Sequence, residues 1–241
     1  MSTILSIAVI LFLIFGPMLL AALFEKRMVW PYGPVRKDEI EAQSMRAGDD
    51  QDANNYIIRF INNALEKGFE YLGCFNDAKG GKYQIVYHAL VSPDKYTLAI
   101  IGGGKVFGMR VWGTWLFSKS DNEHGYYSVD KQSCIEKDVS ELWHDQLVFA
   151  DDFTTLYEKH QKWIQTNAVS LKIYPSGDEL EEHRRSRRYR IDYMEKQGYI
   201  RYLDNDKEYW KYTLLGAIKI SFLGIVIGTF RHIRAGKFHA R

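Results

Sequence analysis

Two long apolar stretches stand near the ends of this 241-residue chain, and a patterned polar region separates them. The first, residues 4–24, has no charged side chain over about 21 positions, enough for a helix of roughly 31 Å that matches the bilayer core. Gly16 and Pro17 lie inside it, and membrane helices tolerate both. A cleaved signal peptide has a basic start, a shorter apolar region and a small-residue cleavage site. We therefore predict an uncleaved transmembrane helix over residues 1–24.

The second apolar stretch, residues 212–230, contains Lys219 in its first half. Its apolar side chains cover nearly all faces of a helix, unlike an amphipathic helix that lies on a bilayer. From Leu214 onward about 17 residues are available, the lower limit for a span, and a lysine at mid-membrane costs roughly 2.5–3.5 kcal/mol. Near the end of a span the lysine chain reaches back to the interface. We expect a second transmembrane or membrane-inserted helix, and whether it crosses the bilayer stays open.

Between these stretches the pattern predicts a polar juxtamembrane linker over residues 25–52 and one α+β domain over residues 53–211. Apolar residues recur at helical spacing from Tyr56 to Leu65, and Gly68 stands where that helix ends. Short links between the next apolar runs are typical of an antiparallel meander. The strand-like runs are residues 69–75, 83–91, 96–101, 106–118 and 126–129.

The second half of the domain returns to helical patterns. Asp151 or Asp152 caps a helix that ends near Asn167, and residues 168–174 alternate like another strand. A charged helix and a β-hairpin then occupy residues 178–212. The predicted fold class is α+β, an antiparallel sheet packed by helices, with the N-terminal transmembrane helix and the C-terminal membrane helix on either side.

Composition changes this picture little. The net charge of +2 and the 46% of apolar residues are ordinary for a globular chain, so the overall charge does not indicate nucleic acid as a partner. Two cysteines, Cys74 and Cys134, are too few for a disulfide framework and form no CxxC motif. Whether these two cysteines pair stays open.

Basic and aromatic residues flank both apolar stretches, as at membrane interfaces. The expected interface residues are Lys26, Arg27, Trp30, Tyr32, Trp210, Lys211, Lys219, Arg231 and Arg234. Positive charge favours the cytoplasm both for the end of the first span and for the basic tail over residues 231–241. If the last segment crosses the bilayer, either the positive residues after the first span or the basic tail lie on the disfavoured side. We expect an integral protein of a bacterial cytoplasmic membrane, and the side of the central domain stays open.

The sequence contains no strong match to a catalytic, phosphate-binding or metal-binding motif. Residues 100–108 invite a phosphate-loop interpretation, but Ala99 replaces the first required glycine and Val106 the required hydroxyl residue. We interpret this stretch as a glycine-rich hairpin turn. The seven histidines form no metal-binding pattern and no G-x-S-x-G motif is present, so we predict no catalytic, cofactor-binding or metal site. An enzyme would instead need a cleft of convergent titratable groups around His88, His144 or Asp151.

The charged helix carries five arginines between residues 184 and 190, preceded by acidic residues as the helix dipole prefers. They form a possible anionic-surface patch of Arg184, Arg185, Arg187, Arg188 and Arg190. A solvated helix face is the alternative interpretation. After Gly198 come a strand, a polar turn, a second strand, and Thr213 with Gly216 at the start of a helix. This arrangement resembles the helix, wing and following helix of winged-helix proteins, and the resemblance implies phosphate contacts by the arginines.

The sequence says less about the biochemical function than about the position of the chain at the membrane. The sequence favours a membrane-anchored, non-catalytic scaffold, sensor-like or assembly module, with the lipid bilayer and other membrane protein subunits as partners and no cofactor. That hypothesis predicts an aromatic surface patch and no cleft of convergent titratable groups. The alternatives are a membrane-tethered, winged-helix-like protein that binds nucleic acid, and an enzyme whose site the sequence does not reveal.

Overall fold

The computed structural model of the chain describes residues 30–31, 51–76, 83–106, 109–130, 141–167, 170–207 and 209–222, together with Gly16. The chain divides into two units, which we describe separately. The sheet unit comprises residues 33–136 and 141–190, and the small unit comprises residues 1–32, 137–140 and 191–241.

The described elements are strands of two to twelve residues and helices of two to five turns. In chain order they are β1 (Trp30–Pro31), α1 (Gln51–Glu66), β2 (Glu70–Asn76), β3 (Tyr83–Val91), β4 (Leu98–Val106), β5 (Met109–Ser120), β6 (Gly125–Asp130), β7 (Trp143–Val148), α2 (Phe153–Asn167), β8 (Leu171–Lys172), α3 (Glu179–Lys196), β9 (Ile200–Tyr202), β10 (Tyr209–Tyr212) and α4 (Leu214–Phe222).

A seven-stranded sheet forms the centre of the sheet unit, in the order β2-β3-β4-β5-β6-β7, with β8 paired to the end of β5. Neighbours from β2 to β6 are antiparallel, whereas β7 runs parallel to β6. A parallel neighbour needs a crossover, because the chain must return to the same end of the sheet. The α+β class with a mostly antiparallel sheet packed by helices is thus confirmed, and the parallel strand β7 was not predicted.

One face of the sheet packs against α1 and α2. Side chains alternate along each strand, so Ala99 and Ile101 of β4 and Leu116 of β5 point to this face. Phe60 of α1 and Phe153 of α2 are fully buried in the same cluster. Each such aromatic side chain contributes roughly 1.5–3 kcal/mol by leaving water, which makes this cluster the main core of the unit.

The opposite face packs against the segment that leads into α3. Leu98 and Ile100 point to this side and contact Tyr174. The guanidinium of Arg190 lies 4.3 Å from the ring centroid of Trp143, and the ring of His183 lies 4.6 Å from that of Phe117. The charged helix therefore uses one side for packing, although its composition suggests a solvated element.

The end of α1 agrees with the sequence prediction. Gly68 has φ of 80°, and the amides of Gly68 and Phe69 donate to the carbonyls of Leu65 and Ala64 at 2.9 and 3.1 Å. These two bonds close the last turn by satisfying carbonyls that the helix leaves without partners. Phe69 then enters the core that Ala64 lines, so the helix end also fixes the start of the sheet.

The hairpin predicted within the glycine-rich stretch is present, since Val106 pairs with Met109, but the glycines 102–104 are not part of its turn. Residues 102–104 lie inside β4, and the link between β4 and β5 at residues 107–108 falls outside the described residues. A Cβ atom at Gly102 would lie 2.6 Å from the carbonyl oxygen of Val86 and 2.7 Å from the Tyr87 ring. Glycine is thus present because β3 and β4 approach too closely for a side chain.

The small unit contains an antiparallel sheet in the order β1-β10-β9. Trp210 is paired with Trp30 on one side and with Tyr202 on the other. The predicted hairpin after the charged helix is therefore present, and β1 adds a third strand to it. Its core is a cluster of Ile191, Met194, Ile200, Trp210, Tyr212, Ala217 and Ile220.

The start of α4 also follows the sequence pattern. Thr213 Oγ1 accepts a hydrogen bond of 3.1 Å from the Gly216 amide, as expected of a residue that caps a helix. A Cβ atom at Gly216 would lie 1.9 Å from the carbonyl oxygen of Tyr199. The helix therefore packs directly on the backbone that follows α3, and only glycine permits that approach.

Candidate ligand cavity and membrane-facing residues

A cavity of about 360 Å³ lies in the sheet unit at the start of α1. Its walls come from the first half of α1, the beginning of β5, the end of β6 and the residues just before α2. The lining residues are Asp52, Asn55, Tyr56, Arg59, Trp112, Asp130, Ala150 and Asp151. The volume is within the range of sites that hold small molecules.

Two of the lining residues, Tyr56 and Asp130, form a hydrogen-bonded pair. Tyr56 donates its hydroxyl proton to Asp130 Oδ2 at 2.7 Å, and Thr114 Oγ1 lies 2.9 Å from the same hydroxyl oxygen. Because the Tyr56 proton goes to the carboxylate, the Thr114 hydroxyl is the donor to Tyr56. Asp130 is fully buried, so its orientation is fixed by these neighbours.

Burial raises the pKa of Tyr56 far above its ordinary range, and the charge of Asp130 raises it further, against a smaller opposing effect of Thr114. Tyr56 therefore remains protonated at every physiological pH and serves as a permanent donor. A residue in this state holds a carboxylate in place and does not accept a proton from a substrate.

The lining of the cavity is acidic on balance. Asp52, Asp130 and Asp151 supply three carboxylates against the single guanidinium of Arg59. Trp112, which is half-buried against the main core, supplies an aromatic wall. Carboxylates and an aromatic face are the groups that proteins use to hold positively charged nitrogen.

The sequence favoured a domain without a cleft of convergent titratable groups, and the lining of this cavity includes several titratable residues. Asp151 was named as one possible centre of such a cleft, whereas Tyr56, Trp112 and Asp130 were not. Tyr56 and Asp130 are 74 positions apart, and no local motif links them. The only signal in the sequence was the inward helical spacing of Tyr56.

Asp152, the neighbour of Asp151, has the structural role that the sequence predicted. Its Oδ1 accepts a hydrogen bond of 2.7 Å from the Thr155 amide at the start of α2. That bond lowers the pKa of Asp152, against a weaker effect of burial. The two adjacent carboxylates thus separate in function, one capping the helix and one lining the cavity.

His160 is a fully buried titratable group outside the cavity. Its Nε2 lies 3.0 Å from Ser118 Oγ and its Nδ1 lies 2.7 Å from Ser128 Oγ. Burial lowers the pKa of His160 to about 3, so the ring is neutral at pH 7. Two serines and no solvent contact indicate a structural link between α2 and the sheet.

The other described histidines have local partners. His88 is fully buried with Nδ1 2.9 Å from the Tyr71 hydroxyl, as predicted for a core histidine. His124 is half-buried, where the sequence predicted exposure, because its Nδ1 lies 2.9 Å from Nε2 of His144. Burial, and then the charge of His124, lower the pKa of His144. Within the described residues, no group of three or more His, Cys, Asp or Glu is placed to hold a metal ion.

Two residues of the predicted anionic-surface patch pair with acidic residues at the start of the same helix, and one is buried against β7. Arg184 donates from Nε and Nη2 to the two carboxylate oxygens of Glu181, at 2.7 and 2.6 Å. Arg185 lies 3.3 Å from Asp178, and Arg190 is only 2% exposed. Arg187 and Arg188 are half-buried. Binding of an anionic surface by this helix stays a prediction.

The predicted membrane-interface residues fall into two groups. Lys26, Arg27, Tyr32, Arg231 and Arg234 lie outside the described residues. In the small unit, Trp210 is 4% exposed and Lys211 is half-buried. Lys219 was expected to reach toward these two residues, but its Nζ donates to the Tyr199 hydroxyl at 2.9 Å and lies 4.2 Å from that ring centroid.

The predicted membrane segments lie largely outside the described part of the chain, which includes only Gly16 of the first and residues 212–222 of the second. Among the helices that the structure describes, none combines the length and the apolar character needed to cross a membrane.

Comparison with protein-family models, with curated proteins and with solved structures finds no match to this chain.

Proposed function

We propose that this chain is a membrane-anchored, sensor-like module whose sheet unit binds a small cationic molecule. The observation that carries the proposal is the cavity at the start of α1, whose lining includes Asp52, Asp130 and Asp151, with the Asp130 carboxylate held by Tyr56. The function is binding, because Tyr56 is a fixed donor and the buried carboxylate is already oriented.

The ligand class follows from the charges on the wall. Three carboxylates and one guanidinium favour a molecule whose positive charge exceeds its negative charge, such as a diamine or a basic amino acid. Trp112 supports a cationic group that approaches its face, and Arg59 suits a carboxylate elsewhere on the ligand. A volume of about 360 Å³ limits the ligand to a small molecule.

The anchoring half of the proposal rests on the two apolar stretches of the sequence and on α4. Three large apolar residues of that helix, Leu214, Leu215 and Ile218, are 46, 58 and 45% exposed. Exposed leucine and isoleucine side by side on one helix favour an apolar surrounding over water.

The nucleic-acid alternative has less support from the geometry. It needs the arginines of α3 on an open face, whereas Arg184 and Arg185 pair with acidic residues and Arg190 packs on Trp143. Phosphate binding would have to break those contacts first.

The test is thermal unfolding of the full chain, reconstituted in lipid nanodiscs, with a fixed set of probes. Putrescine, spermidine, arginine and lysine are the cationic probes, and succinate and inorganic phosphate are the anionic ones. We expect at least one cationic probe to raise the melting temperature, because a ligand that binds only the folded state stabilises it. Asp130→Asn retains an oxygen that accepts from Tyr56 but loses the charge, so this shift should disappear.

Asp121→Asn, in an exposed turn of the sheet unit, is the matched control and should leave the shift unchanged. A shift that is equal in wild type and Asp130→Asn would show binding elsewhere and contradict the proposal, as would the absence of a shift with every cationic probe. If a probe is recovered chemically altered after incubation, the enzyme alternative replaces the sensor.

A further inference from the structure

The chain that adjoins both apolar stretches meets in one small sheet. β1 begins at Trp30, shortly after the first stretch ends at residue 24, and Trp30 pairs with Trp210 of β10. β10 leads through Thr213 directly into α4, and the sequence then continues with uncharged residues to Phe230. The small unit is thus the structure from which both stretches leave.

The helix α4 has two different faces. Ala217 and Ile220 are fully buried in the core of the small unit. Leu214, Leu215 and Ile218 lie on the other side and are each about half exposed. The apolar exposed face belongs to the helix that directly precedes the apolar residues 223–230 of the sequence, so an apolar surrounding suits both.

The position of Lys219 bears on how α4 can lie in the bilayer. Its ammonium group is held by the hydroxyl and the ring face of Tyr199, which belongs to the folded small unit. A lysine with such a partner stays with the protein surface, so the cost of placing its charge in hydrocarbon does not arise at this position. Lys219 therefore does not prevent the exposed apolar residues of α4 from contacting lipid.

We propose that the small unit lies on the bilayer surface, with Leu214, Leu215 and Ile218 inserted at the boundary between headgroups and acyl chains. The bilayer is the partner of this face, and both apolar stretches enter the membrane from beneath the same unit. This inference rests on the anchoring half of the proposed function. If both stretches cross, the two termini lie together on the far side of the membrane and the sheet unit lies on the near side.

The test places an environment-sensitive NBD label on single cysteines in the full chain, with Cys74 and Cys134 changed to serine. The labelled variants are Leu215→Cys and Ile218→Cys, and the control is Ile58→Cys, an apolar residue of the sheet unit that is 53% exposed. The protein is reconstituted in vesicles of phosphatidylcholine and phosphatidylglycerol, with or without doxyl-labelled lipid. We expect doxyl lipid to quench the label at 215 and 218 and to leave the label at 58 unchanged.

Flotation of the same vesicles separates the possible failures. If the chain does not float with the vesicles, the anchoring proposal itself fails. If the chain floats but the labels at 215 and 218 are not quenched, anchoring holds and the surface position of the small unit is wrong. Shielding of label 218 that depends on protein concentration, and not on doxyl lipid, would assign this face to a second copy of the chain and also overturn the inference. Thermal unfolding of each labelled variant confirms that it is folded.

Discussion

The Tyr56 hydroxyl and the Asp130 carboxylate form a hydrogen bond of 2.7 Å between the first helix and the end of β6. The bond joins two parts of the chain that are 74 positions apart, and it fixes a fully buried carboxylate at the wall of a cavity. The same contact therefore contributes to stability and prepares the proposed ligand site.

Tyr56→Phe should lower the free energy of unfolding by about 1–3 kcal/mol, because it removes a donor from a buried carboxylate and the partner of Thr114. Urea unfolding at pH 7 measures the change. Tyr189→Phe, at a ring that is 49% exposed, is the matched control and should change little. Equal stability of Tyr56→Phe and wild type would show that this bond contributes nothing.

His160 should make stability depend on pH. Its pKa is about 3 in the folded chain and near 6.5 when unfolded, so between these values only the unfolded chain binds the proton. The stabilisation is fully present above pH 6.5 and falls by roughly 1.4 kcal/mol for each pH unit below it. Urea unfolding from pH 7.5 to 4.5 measures the slope, and His160→Gln, which does not titrate, should reduce it. An unchanged slope in His160→Gln would assign the dependence to other groups.

Lys119 and Glu182 form a buried ion pair between β5 and α3, with Nζ 2.9 Å from Oε1. Burial alone would raise the pKa of Glu182, but the hydrogen bonds and charges of Lys119 and Lys172 lower it overall. Lys119→Met should cost about 3–5 kcal/mol, since it leaves a buried carboxylate with less compensation. The double variant Lys119→Met with Glu182→Leu should recover much of that loss in chemical denaturation. A double variant that is less stable than the single one would refute this account.

Gly216→Ala should unfold the small unit selectively. The added methyl group would lie 1.9 Å from the Tyr199 carbonyl oxygen, and backbone cannot move aside as a side chain can. Limited proteolysis should then cut within residues 191–222 while residues 51–130 stay protected. Gly198→Ala is the comparison, since nothing lies within 4 Å of a Cβ added there and only the φ of 73° opposes it, at a cost of roughly 1–2 kcal/mol. If the two variants are cut at the same rate, close packing at Gly216 is not limiting.

The parts of the fold that depend on neighbouring residues could be predicted. The end of α1 at Gly68, the hairpin after α3 and the cap at Thr213 each follow from a few consecutive residues. The parallel strand β7 could not, because its place depends on a crossover between Asp130 and Trp143. The role of Gly102 could not be predicted either, because the strand that approaches it closely is separate in sequence.

The cavity also depends on residues that are far apart in the sequence, so it could not be predicted. Asp151 was considered as a helix cap and as one possible centre of an enzyme cleft, but its partners in the wall come from three other elements. Likewise, the arginines of α3 form a basic run in sequence, while the structure pairs two of them with acidic residues and buries a third. The charge pattern of a sequence does not show which charges are exposed, because packing and ion pairing determine that.

The most direct test of the central claim is isothermal titration calorimetry of the full chain in nanodiscs with the cationic probe that raises the melting temperature most. The account predicts saturable binding to wild type and to Asp121→Asn, and loss of that binding in Asp130→Asn. Equal affinity in wild type and Asp130→Asn would contradict the assignment of the cavity as the ligand site.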